Sequence, residues 1–239
     1  MRRPRPARPW IPLALLALAA CSAPPPPGEV AEESVKPGIN EPFLGEGFEV
    51  EAFVERFERE GREVFDKRQE IVDAIGLEPG MDVADIGAGT GLFTPILAEA
   101  VGPEGTVFAQ DIQPAFLEFI DRRMREAGFR NCKTLLGSAK STGLSWRSID
   151  VAFLCDVYHH FEYPKNTLAS LRHALRPGGE LILVDFERID GESSDWILNH
   201  VRAGKEVFLQ EIVDAGFELV EEKDLLETSY WLRFRRLPD

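Results

Sequence analysis

The chain has 239 residues, 44% of them hydrophobic, with 41 Asp and Glu against 27 Lys and Arg, a formal charge of −14. That length and apolar content fit one globular domain, and so acidic a body repels phosphate backbones, which argues against nucleic acid as a partner. Three scattered cysteines, Cys21, Cys132 and Cys155, make neither a disulfide framework nor a zinc knuckle, so no metal site is expected.

Residues 1–8 are basic and Pro-rich, residues 10–20 are apolar, and the run closes on Leu18-Ala19-Ala20-Cys21. This order is that of a secretory signal peptide over residues 1–20, too short to span a bilayer as a helix. Leu-Ala-Ala-Cys resembles the lipobox of bacterial lipoproteins, which implies an acylated Cys21 as the new N-terminus and membrane anchor. Ser22 resembles the residue that sends such proteins to an outer membrane. The expected location is therefore the periplasmic side of a membrane, the outer one favoured, or the cytoplasm if the leader does not act. Residues 21–42 carry four consecutive prolines (24–27), several Glu and few large apolar groups, and read as an extended tether. The domain proper is expected over residues 43–239.

Apolar positions from Phe53 to Ile75 fall near helical spacing and form a lead-in that Gly61 can break. A strand at residues 81–86 then runs into Gly87-Ala88-Gly89-Thr90-Gly91 and a helix at 92–100. Next come a strand at 106–111 ending on Asp111, a helix at 116–127, strands at 132–136 and 149–155, a helix at 165–175 and a strand at 181–186. Regular alternation of this kind predicts a parallel sheet with helices on both faces. The tail reads as a helix at 205–215 and two strands, 217–223 and 230–235, forming an antiparallel edge. Arg56, Arg62 and Arg68 read as solvated. The stretch from His200 to Lys205 reads either as a positive patch that steers an anionic acceptor or as an ordinary solvated loop.

The glycine turn has the spacing G-x-G-x-G, not the G-x-G-x-x-G of dinucleotide folds. It lets the backbone approach a ligand closely at the carboxyl end of a strand, where open α/β sheets bind ligands. Asp111, about 20 residues on, is placed to accept the hydroxyls of a ribose or to cap the helix that begins near Pro114. Together they specify an adenosine-type ligand.

Val83 to Gly91, Asp111-Ile112, Phe153 to Phe161 (Phe-Leu-Cys-Asp-Val-Tyr-His-His-Phe) and Leu175 to Leu181 (Leu-Arg-Pro-Gly-Gly-Glu-Leu) resemble four successive motifs of class I S-adenosylmethionine (SAM)-dependent methyltransferases, most of all the ubiquinone and menaquinone methyltransferase branch. The resemblance implies a Rossmann-like seven-stranded sheet, mostly parallel, with an antiparallel final strand. It puts Gly87, Ala88, Gly89 and Gly91 under the methionine portion of SAM, with Asp85 steadying the loop and the amino group, Asp111 on the ribose, Ile112 on the adenine and Asp156 beside the methionine portion. Where relatives carry Gly-Asp-Ala, this chain has Gly137-Ser138-Ala139, so Ser138 replaces an acidic contact to adenine, with Ala139 next to it. His159 is expected near a small-molecule or lipidic methyl acceptor and is the candidate base, although a structural role suits it as well, and His160 is expected to face elsewhere. The rival readings are a SAM-binding lipoprotein without turnover and, against the loop spacing, an NAD(P)-dependent oxidoreductase. Oligomeric state is not legible.

Overall fold

The computed structural model describes residues 24–45 and 47–239. The expected signal peptide and Cys21 lie outside the described residues. Among those described, no helix is long and apolar enough to cross a membrane.

Four short helices open the described chain: α1 (Glu41–Leu44), α2 (Val50–Phe57), α3 (Glu63–Asp66) and α4 (Arg68–Asp73). The lead-in expected as one amphipathic stretch is thus divided, at Gly61 with φ +83° and again at Lys67. Then follow β1 (Asp82–Ile86), α5 (Thr94–Val101), β2 (Thr106–Asp111), α6 (Pro114–Glu126), β3 (Cys132–Leu136), β4 (Ile149–Cys155), α7 (Pro164–Ala174), β5 (Leu175–Phe186), α8 (Asp195–His200), α9 (Lys205–Asp214), β6 (Phe217–Lys223) and β7 (Ser229–Arg236). A 3₁₀ turn, Tyr158–His160, follows β4.

The strands form one seven-stranded sheet in the order β3-β2-β1-β4-β5-β7-β6, with β7 antiparallel to both neighbours and β1 to β5 mutually parallel. Successive side chains of β1 divide between two cores. Val83 packs with Leu97, Ile120 and Trp231, while Ala84 and Ile86 pack on the other face with Leu168, Leu171 and Phe208. Helices α5 and α6 therefore cover one face, and α7 and α9 the other.

The closing strands are laid down in reverse of their sequence order. The acidic β6, with Glu218, Glu221 and Glu222, takes the edge. Strand β7, whose Tyr230, Trp231, Leu232 and Phe234 are all buried, inserts between it and β5. An edge strand tolerates charge because one rim faces water, whereas an interior strand must be apolar on both faces. β5 begins at Leu175, earlier than expected, because Leu175 already pairs with Ile149. The register shifts before Val151 pairs with Glu180, which accommodates Arg176-Pro177-Gly178-Gly179.

The tether is corrected from residue 30 onward. Asn166 of α7 accepts a hydrogen bond from the Val30 N–H and donates to its carbonyl, at 2.8 and 3.1 Å. Val35 N–H donates to the Glu162 carbonyl (3.0 Å), and Lys36 Nζ donates to the carbonyls of Asn199 and His200 at the end of α8. A segment poor in apolar groups is thus held by polar contacts to distant parts of the chain, which composition alone does not reveal. Helix α8 and the 3₁₀ turn were not foreseen either.

Candidate functional site

Strand β1 lies between β2 and β4, so the chain leaves it in one direction to build β2 and β3 and returns on the other side to build β4 and β5. Such a reversal opens a crevice beyond the carboxyl ends of the strands. Here the crevice is a cavity of about 600 Å³, walled by the glycine loop, the ends of β2 and β4, the 3₁₀ turn, α8 and the docked N-terminal segment.

Gly87, Gly89 and Gly91 all have left-handed φ, of +63°, +55° and +75°. A Cβ on Gly87 would stand 2.2 Å from Cγ2 of Val157, so only glycine lets β1 turn against the chain leaving β4. The N–H groups of the loop are mostly committed within the protein. Ala88 donates to the Gln110 carbonyl (2.9 Å), Gly89 to Asp111 Oδ2 (2.9 Å) and Gly91 to the Ala88 carbonyl (2.8 Å). Close backbone approach, rather than free N–H donors at 88, 89 and 91, is what this turn gives a ligand.

Both roles of Asp111 are modified. Its Oδ1 accepts from the Gln113 N–H (2.9 Å) while its Oδ2 pins Gly89, and the side chain lines the cavity. The N-cap of α6 is Gln113, whose Oε1 accepts from Ala115 N–H. Burial raises the Asp111 carboxyl above the usual range, against the pull of these N–H donors. Asp85 is buried behind the loop and accepts from the Thr94 hydroxyl at 2.6 Å. Desolvation raises its carboxyl to about 7, opposed by Thr94 and assisted by the charge of Asp111.

Asp156 has φ +52°, an uncommon state for a non-glycine residue that often marks a functional position. One carboxylate oxygen is bonded by the Arg62 guanidinium; the other, Oδ1, is buried with no partner. Thr90 Oγ1, also in the cavity wall, is likewise buried and unpartnered. Burial raises the Asp156 carboxyl, and Arg62 draws it down. Arg62, which the sequence reads as solvated, is therefore a site residue, and Phe57 lies under its guanidinium at 5.4 Å. Of the other two arginines so read, Arg56 also lines the cavity, over Trp196, whereas Arg68 stacks on Phe65.

Ile112, Ser138 and Ala139 line the cavity beyond Asp111. Ser138 does not fill the acceptor role expected of it, because its Oγ already accepts from the N–H groups of Lys140 (3.3 Å) and Ser141 (3.1 Å) and is left with a hydroxyl proton to donate.

His159 is 1% exposed, with Nδ1 2.8 Å from Oδ1 of the fully buried Asp185, whose Oδ2 accepts the His159 N–H at 3.2 Å. His160 does not face elsewhere. The 3₁₀ turn stacks its ring 4.4 Å from that of His159, and His200 reaches in from α8. Of the two readings of residues 200–205, neither the positive patch nor the solvated loop holds: Arg202 is buried against Glu211 and Phe208, and Lys205 is paired with Glu187 and Glu222.

Such a fold and site define an α/β protein that holds an adenosyl-type ligand at a topological switch point, with a second compartment beside it. A family model for the methyltransferase domain matches residues 77–227, and the chain belongs to that family. The cofactor of this family is S-adenosyl-L-methionine. The chain is 34% identical over 113 residues to a 37.1 kDa transposon-encoded protein of Streptomyces fradiae, a match that covers 47% of this chain and spans 32% of that protein. It is 23% identical over 185 residues to the ubiquinone/menaquinone biosynthesis C-methyltransferase of Shewanella piezotolerans, covering 65% of this chain and 74% of that enzyme. In fold it is similar to a SAM-dependent methyltransferase from Aquifex aeolicus, with TM-score 0.71 and 21% identity over 80% of this chain and all of the other.

Proposed function

We propose that the protein transfers a methyl group from SAM to a small or lipidic acceptor, and that it does so as a lipoprotein anchored through Cys21 on the periplasmic side of a membrane, the outer one favoured. The observation that carries the transferase reading is a single cavity lined both by the glycine loop with Asp111 and Asp156 and by aromatic rings with His159, which pairs with Asp185. The unspent acceptor Oδ1 of Asp156 and the Arg62 cation beside it suit the ammonium and carboxylate of an amino acid. Asp111 retains acceptor capacity for ribose hydroxyls, and Ile112 offers an apolar face to adenine. Bound there, SAM supplies an electrophilic methyl group on a sulfonium.

In-line displacement needs positioning above all, which the cavity walls provide. Asp185 takes the Nδ1 proton of His159 in a hydrogen bond and so keeps Nε2 basic for an acceptor that carries a proton. Phe43, Phe186 and Trp196 give the second compartment apolar and aromatic surface suited to a ring or chain.

Calorimetry with SAM and its demethylated product, paired with transfer of isotopically labelled methyl into candidate acceptors, tests this reading. Both ligands should bind, and Asp111→Ala should weaken SAM binding by about 1.5–3 kcal/mol. Failure of both ligands to bind at millimolar concentration would overturn the reading, and binding without transfer would make the protein an adenosyl-compound binder.

A further inference from the structure

Three of the four histidines of this chain, the neighbours His159 and His160 and the distant His200, meet at one place in the cavity wall. His159 and His160 come from the 3₁₀ turn after β4 and His200 from the last residue of α8. One ring nitrogen of each lies within 4.8 Å of the others, and the Nε2 atoms of His160 and His200 are 3.2 Å apart. We infer that His159, His160 and His200 form a binding site for a divalent transition-metal ion of the Zn²⁺ type, with Asp185 orienting His159 and the fourth coordination position facing the acceptor compartment.

The spacing is what such an ion requires. With Zn–N bonds of roughly 2.0–2.1 Å and tetrahedral angles, two ligating nitrogens stand about 3.3 Å apart and the imidazole centres about 5 Å apart. The ring centroids here are 4.4, 5.0 and 5.1 Å apart, and the three nitrogens, within 4.8 Å of one another, would draw in around one ion. The surroundings agree. Nδ1 of His159 is engaged by Asp185, leaving Nε2 as its ligand atom, and a carboxylate behind a metal-bound imidazole fixes the ring and raises its basicity. Asp185 supplies negative charge against the nearby cations Lys36 and Arg56. Without an ion the two Nε2 atoms share one N–H···N hydrogen bond, which a common ion would replace.

Three imidazoles and an open position is the arrangement of catalytic rather than structural zinc, so the open side would take an oxygen or sulfur donor from the second ligand of the cavity. Ion binding here does not depend on methyl transfer and is separable from it.

The test uses the full chain without a polyhistidine tag, stripped with a chelator and titrated with Co²⁺ and then Zn²⁺. One equivalent of Co²⁺ should give the visible band of a four-coordinate site, and Zn²⁺ should abolish it. His200→Ala, on a partly exposed side chain, should remove the band and weaken Zn²⁺ at least 100-fold with unchanged circular dichroism. His160→Ala should do the same, and Asp185→Asn should weaken Zn²⁺ about 10–100-fold. No band, sub-stoichiometric Zn²⁺, or binding unaffected by His200→Ala overturns the site. SAM affinity measured on the same samples separates the two readings, since its loss with Zn²⁺ binding intact counts against the proposed function alone.

Discussion

The Asp85 carboxyl keeps its proton to about pH 7 in the folded protein, whereas in the unfolded chain it ionises near the ordinary value of 3.8. Between those limits the folded state binds more protons, so this group's contribution to stability is complete at low pH, declines as pH rises through 7 and then levels off. Asp85→Asn keeps an acceptor for the Thr94 hydroxyl without the cost of a buried charge. Its advantage in urea midpoint over the wild-type protein should therefore grow from about pH 4 to pH 7 and flatten above, and a constant difference across that range would show that Asp85 is already ionised. His159 admits a kinetic test. His159→Ala should lower turnover of a protic acceptor about 10²–10⁴-fold and leave SAM affinity unchanged, because the ring is bonded to Asp185 and not to the glycine loop, Asp111 or Asp156. Wild-type turnover in the variant would leave positioning alone to account for catalysis. The same loss follows whether Nε2 takes a proton or holds an ion, and the metal titration tells these apart. His160 lines the same cavity and so cannot serve as the inert control its neighbour would need.

Among the elements, α7 depends on a residue far away in sequence. Its N-cap, Tyr163, supplies no capping side chain, and the carboxylate of Glu32 instead accepts from the N–H groups of Lys165 (2.9 Å) and Asn166 (3.1 Å). A carboxylate there satisfies orphan donors and faces the positive end of the helix. Glu32→Ala should cost about 0.5–2 kcal/mol in denaturant unfolding, the range of a lost cap. An unchanged midpoint would mean that the docked segment is not coupled to the domain. The strands from β1 to β4 begin and end within a residue of where the sequence places them, because apolar runs and the glycines between them are local signals. That Gly87, Asp111 and Asp156 line one cavity was equally legible, since each stands at the end of a strand. Nothing local marks Glu32 as a cap, Arg62 as the partner of Asp156 or His200 as a neighbour of His159; each becomes a site residue only when distant segments are brought together.

For the molecule as a whole, the charge of −14 resists association with anionic surfaces, and the acyl group proposed on Cys21 would supply any attachment to a membrane. Cys21→Ser should move the protein from the membrane to the soluble fraction after cell fractionation, and retention of the variant on membranes in high salt would count against lipidation. The docking of Val30 on α7 then acquires a consequence for kinetics. Only eight residues lie between Cys21 and Val30, and even fully extended that stretch reaches about 30 Å. Anchored as proposed, a domain on so short a leash would search a thin layer above the bilayer, where a lipid in the same leaflet would be met at an effective concentration on the millimolar scale. Weak intrinsic affinity for that lipid would then suffice at the surface, while the same enzyme released into solution would need millimolar substrate to work at comparable speed.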